Sequence, residues 1–209
     1  MTSQKTTVGI DVGGIKKGFH AVVNHAGQYH DHFQSTNPDA IVAWALSQKP
    51  SVIAIDAPSM FSQNARSRKA ERDLVNNGMR CFYTPTRDLA KESHFYDWVF
   101  NGELIYKKLE LPIFMGNKIS SPCVIETFPH AIQISLWARH GQSCPEGSKS
   151  SIRRKTLAVH ANYETKQLRS IDFIDAALCA VSADYFANNQ FKAYGCHQDG
   201  FIVLPDNSI

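Results

Sequence analysis

Apolar and polar positions alternate near the start of the chain in a way that predicts a strand, a turn and two further strands. Residues 8–10 alternate apolar with small side chains before Asp11, as in a buried strand that ends at an acid. Residues 19–23 and 29–33 show two more strand patterns, separated by a short turn at 24–27. The pattern therefore predicts a three-stranded antiparallel meander.

The next segment changes from helical spacing to a continuous apolar run. A helix is predicted to begin at Asn37 and to end at Lys49, before a proline. The near-continuous apolar run at 51–56 is typical of a strand buried on both faces, as in a parallel sheet covered by helices. Shorter strands are predicted at 123–126 and 201–204.

Helices and one loosely patterned segment account for the rest of the chain. Helices are predicted at residues 88–100, 103–109, 131–140, from 153 onward, and 171–183. Four alanines give the last helix a narrow face that can approach a sheet closely. We expect a single domain over residues 1–209, with a helical insertion at about 59–121 that lies over one end of the sheet.

Composition narrows the class of protein. The chain has 209 residues, of which 43% are hydrophobic and 20% charged, which is typical of a globular protein. Its five cysteines show no CxxC spacing, so a disulfide framework or a cysteine zinc site is not indicated. No apolar run approaches the ~20 residues of a membrane helix. We expect a cytoplasmic protein without membrane partners, and the net charge of +3 permits a polyanionic partner.

Basic residues are concentrated in the expected insertion. Phe82 and Tyr83 interrupt them, and basic residues with interleaved aromatics suit a nucleic-acid strand. The alternative is a solvated helix face. The residues that would contact phosphate are Arg66, Arg68, Lys69, Arg72 and Arg87.

Acidic residues recur where strands end or where a helix begins. These are Asp11, Asp56, Glu126, Asp172 and Asp175. The carboxyl ends of neighbouring parallel strands converge on one crevice. Two carboxylates ~4 Å apart repel by about 4 kcal/mol at an effective dielectric near 20, so such a group would require cations. Mg²⁺ and Mn²⁺ both favour ligand sets made entirely of oxygen atoms, and we expect two such ions at this group of acids. Asp175 is favoured over Asp172 as a ligand, because an acid in the first helical turn can simply favour the helix dipole.

Several motifs together resemble a known family. They are Gly9-Ile-Asp-Val-Gly13, Ala54-Ile-Asp-Ala-Pro58, the segment from Arg68 to Asp73, Phe82-Tyr-Thr-Pro-Thr-Arg87, Glu126-Thr-Phe-Pro129 and the helix from Asp172 to Ala180. Their order resembles the ribonuclease H-like fold, especially its RuvC-type branch. More closely, it resembles domain of unknown function 429, described as predicted nucleases of ribonuclease H-like fold.

The resemblance implies an α/β fold, in which a mixed five-stranded sheet combines an antiparallel meander with parallel strands and is flanked by helices. It also implies a metal-dependent nuclease. Asp11, Asp56 and Asp175 would be its catalytic metal ligands, with Asp172 or Glu126 as a fourth. Asp56 stands where the resolvases usually have a glutamate.

Two other functions stay open from the sequence. The first motif also resembles the phosphate-binding start of sugar kinases and other actin-like ATPases, where Lys16 and Lys17 would suit a phosphate. Such enzymes carry two copies of the fold, and here a homodimer would have to supply the second copy. The other alternative is a catalytically silent nucleic-acid-binding module.

Overall fold

The described residues form a seven-stranded mixed sheet. The computed structural model describes residues 5–14, 16–63, 66–116, 120–161 and 163–206. The strands are β1 (Thr6–Val12), β2 (Phe19–His25), β3 (Gln28–Ser35), β4 (Val52–Asp56), β5 (Cys123–Glu126), β6 (Phe191–Cys196) and β7 (Gly200–Pro205). Their order across the sheet is β3-β2-β1-β4-β5-β7-β6.

Strand directions agree with the expected meander plus parallel strands. Strands β1, β2 and β3 pair antiparallel, whereas β4 is parallel to β1, β5 to β4, and β7 to β5. Strand β6 pairs antiparallel with β7 at the edge. The expected mixed sheet, an antiparallel meander combined with parallel strands, is confirmed, but the expected count of five strands was wrong. Strand β6 lacks an apolar alternation because, of its six residues, only Tyr194 is buried.

Helices cover both faces of the sheet. They are α1 (Pro38–Ser47), α2 (Lys69–Asn76), α3 (Arg87–Lys91), α4 (Asp97–Leu109), α5 (Pro129–Arg139), α6 (Lys149–His160) and α7 (Ile171–Ala187), with single 3₁₀ turns at His94–Tyr96 and Thr165–Gln167. Helices α1 and α4 pack on one face, while α7 packs on the other with α5 and α6 beside it. Within the described ranges, no helix combines the length and apolar character needed to cross a membrane.

The segment between β4 and β5 differs from the predicted helices. The single helix expected at 88–100 was wrong, because the chain is extended at Ser93, whose hydroxyl accepts a hydrogen bond from the Phe95 amide. The expected short helix at 103–109 is the second half of α4. Helix α2 had no counterpart in the prediction. Treating 59–121 as an insertion into a single domain stays a prediction.

Helix α7 lies unusually close to β1. Ala176, Ala177 and Ala180 are fully buried against the sheet, as the narrow alanine face predicted. On the strand side the contact is made by Gly9, and a methyl group there would collide with the backbone of α7. The two elements that carry Asp11 and Asp175 are therefore held together without intervening side chains.

Candidate metal centre

Three carboxylates meet where β1, β4 and α7 converge. Asp11 and Asp56 are register partners on the parallel strands β1 and β4, so they lie side by side. Asp175 is in the second turn of α7, which crosses the same face. One oxygen from each residue lies within 4.8 Å of the others. Asp11 and Asp175 are 8% and 4% exposed, and Asp56 is partly exposed.

The local electrostatics oppose full ionisation of the strand aspartates. Burial raises the pKa of Asp11 well above its usual range, and the charges of Asp56 and Asp172 raise that pKa further. Burial also raises the pKa of Asp56 to about 7, although Arg153 and Lys149 act in the opposite direction. A proton or a cation between these carboxylates would relieve that cost. Three hard oxygen donors that favour a nearby cation fit Mg²⁺ or Mn²⁺.

Two basic residues of α6 already contact Asp175. The Lys149 Nζ lies 3.2 Å from Asp175 Oδ2, and the guanidinium of Arg153 contacts Oδ1. Helix α6 begins at Lys149, four residues before the predicted start, so Lys149 and Arg153 lie one turn apart on one face. The sequence revealed neither contact, because helical spacing does not show which neighbouring element a helix face meets.

The other two candidate acids have partners of their own. Asp172 pairs with Lys17, whose Nζ lies 3.0 Å from Oδ1. Glu126 Oε2 accepts hydrogen bonds from the Ser59 amide at 2.7 Å and from Arg68 Nη1 at 2.8 Å. Among the described residues, the set that could jointly hold an ion consists of the three aspartates. The metal-ligand roles of Glu126 and Asp172 stay predictions.

Comparison with known proteins identifies the family. Residues 9–198 match the model of the family described as "Protein of unknown function (DUF429)". The chain belongs to this family. No curated protein matches it. The structure of RuvC from Thermus thermophilus is similar over 88% of this chain and 96% of that chain, with a TM-score of 0.45 and 13% sequence identity.

In this DUF429 chain, Arg68 is a buried structural cation. Its guanidinium is 1% exposed and bonds both Glu126 and Glu71, with Arg68 Nε 2.9 Å from Glu71 Oε1. Glu71 also accepts a hydrogen bond from the Thr84 amide at 2.9 Å. This network joins α2 and the following loop to the end of β5. Phosphate contact by Arg68 stays a prediction, but the guanidinium is enclosed by protein.

The remaining predicted phosphate contacts of this DUF429 chain lie nearer the surface. Lys69 pairs with a carboxylate one turn later in α2 at 2.6 Å, and Arg72 Nη1 donates to the Ser67 carbonyl at 2.6 Å. Arg87 pairs with a carboxylate of α4, and its guanidinium lies over the Phe61 ring. Arg66 is exposed. Internal pairing thus uses much of the positive charge that the sequence assigned to nucleic acid.

Proposed function

We propose that this protein is a divalent-metal-dependent nuclease that cleaves phosphodiester bonds of nucleic acid. The observation that carries the proposal is the convergence of Asp11, Asp56 and Asp175, with oxygens within 4.8 Å of one another. These residues would hold Mg²⁺ or Mn²⁺. When bound, such an ion activates water and stabilises the leaving oxygen.

Side chains around the cluster support a nucleic-acid substrate. Lys149 is 61% exposed, so its ammonium group is accessible to a phosphate near the aspartates. Phe82 is 67% exposed, and it lines a cavity together with Trp98 and Asp56. Exposed aromatic rings stack on unpaired bases of either DNA or RNA. Positive charge and an aromatic ring therefore flank the proposed point of cleavage.

A cleavage assay with matched variants tests the proposal. The full chain is incubated with DNA, RNA, hybrid and junction substrates in Mn²⁺, in Mg²⁺ and in EDTA. We expect cleavage with the metals, and a loss of at least about 100-fold in Asp11→Asn and Asp175→Asn. Asp184→Asn is the matched control, because it makes the same acid-to-amide change on α7 outside the cluster. Cleavage that persists in both site variants would refute the assignment of Asp11 and Asp175 as metal ligands.

A specific observation also favours the silent binding module as a second candidate. Arg153 and Lys149 compensate the charge of Asp175 without any ion. Such a module would bind nucleic acid with a strong dependence on salt and would leave every substrate intact in Mn²⁺. The described residues give no support for a homodimer, and neither proposed function requires one.

A further inference from the structure

We infer that the cluster holds one divalent ion, with the guanidinium of Arg153 in place of a second cation. This inference rests on the proposed function and deepens it. It differs from the two ions expected from the sequence.

Arg153 places a permanent positive charge inside the cluster. Its side chain is 5% exposed and contacts Asp175. Its charge also acts on Asp11 and Asp56, so its influence extends to all three carboxylates. An arginine side chain does not lose its proton in proteins. An incoming ion therefore meets a site in which one cation is already built into the fold.

The number of available ligands also favours a single ion. Mg²⁺ prefers a near-octahedral shell, so two ions would share three protein carboxylates and depend heavily on water and substrate. The acids that could extend the set are engaged elsewhere. Asp172 pairs with Lys17, and Glu126 is bonded to Arg68 and Ser59. Recruiting Glu126 would leave the buried Arg68 charge without half of its compensation.

Charge balance leads to the same conclusion. With all three aspartates ionised, the cluster carries three negative charges, and Arg153 and Lys149 together carry two positive charges. The cluster therefore has a net charge of minus one. One divalent ion changes the net charge to plus one, which a phosphate can compensate. A second divalent ion would raise the net charge to plus three in a partly buried site, at a steep electrostatic cost.

Metal stoichiometry tests the inference without any reading of activity. The full chain is titrated with Mn²⁺, and free Mn²⁺ is followed by electron paramagnetic resonance. We expect one bound ion per wild-type chain and none at this site in Asp11→Asn. Arg153→Met should bind a second ion, or bind the first at least about tenfold more tightly. Lys155→Met is the matched control, because it removes one positive charge from the same helix, where Lys155 lies over the Trp137 ring.

The outcomes separate this inference from the function on which it rests. Two Mn²⁺ ions in the wild-type chain, both lost in Asp11→Asn, would overturn the single-ion arrangement and leave the metal centre intact. No bound ion, or equal binding in the wild-type and Asp11→Asn chains, would overturn both. If Arg153→Met does not fold, the wild-type stoichiometry still decides. Lys149→Met then takes its place, with tighter Mn²⁺ binding as the supporting result and unchanged binding as the contrary one.

Discussion

The contact between β1 and α7 can be tested at Gly9, which lies two residues before Asp11. A methyl group at Gly9 would lie 2.8 Å from the Cys179 carbonyl carbon, and closer still to the Ala176 carbonyl oxygen and the Ala180 amide nitrogen. All three are backbone atoms of one helix. Gly9→Ala can therefore be accommodated only if α7 and β1 move apart, because no side-chain rotation relieves the overlap.

The size of the effect follows from that distance. Ordinary van der Waals contact begins at 3.4 Å, so the methyl group is 0.6 Å too close even to the most distant of these atoms. Overpacking of this kind costs about 1–3 kcal/mol. For a domain of this size, that loss lowers Tm by roughly 2–12 °C. Because the same movement separates Asp175 from Asp11, Mn²⁺ binding should weaken although no candidate ligand has changed.

Thermal unfolding and Mn²⁺ titration of one pair of variants provide the assay. Gly14→Ala is the control, since a methyl group there has no atom within 4 Å. We expect Gly14→Ala to unfold near the wild-type Tm and Gly9→Ala to unfold well below it. A Gly9→Ala protein with a Tm within about 1 °C of wild type would refute the close contact of strand and helix, since even the smallest overpacking cost predicts more.

Three further outcomes concern buried charge. Arg68→Met leaves Glu71 and Glu126 without their cation and should lower the free energy of unfolding in urea by about 3–5 kcal/mol, whereas a loss under about 1 kcal/mol would contradict the buried network. Burial raises the pKa of Asp184 to about 6 from 3.8, so ionisation is harder in the folded state. The Asp184 carboxyl group should therefore contribute about 2 kcal/mol to the loss of stability as pH rises from about 4 to about 6. Asp184→Asn should make the loss over this pH range smaller by that amount, and identical pH profiles of the two proteins would refute the raised pKa of Asp184. Mn²⁺ at about 100 times its Kd should stabilise the wild-type chain by about 2.7 kcal/mol. Asp175→Asn should show no such gain in thermal unfolding, and an equal gain would argue against Asp175 as a ligand.

Local patterns predicted the central strands well and the segment between β4 and β5 poorly. The apolar run before Asp56 identified β4, because a strand buried on both faces needs apolar residues at every position. Helix α2 was missed because it begins beside Arg68 and buries Glu71, and charged residues normally indicate a surface. The burial of these two charges is explained by Glu126, which lies far away in the sequence and also pairs with Arg68. The edge strand β6 was missed for a related reason, since it buries little apolar surface of its own.

The sequence by itself determined the meander, the buried parallel strands and the positions of the three aspartates at the ends of their elements. These features depend on periodicity and on residues close together along the chain. The tertiary structure alone decided that Arg153 and Lys149 face Asp175, that Arg68 is enclosed with Glu126, and hence how much positive charge the cluster already contains. Helical spacing specifies which residues share a face, but the element that this face meets depends on packing between distant parts of the chain.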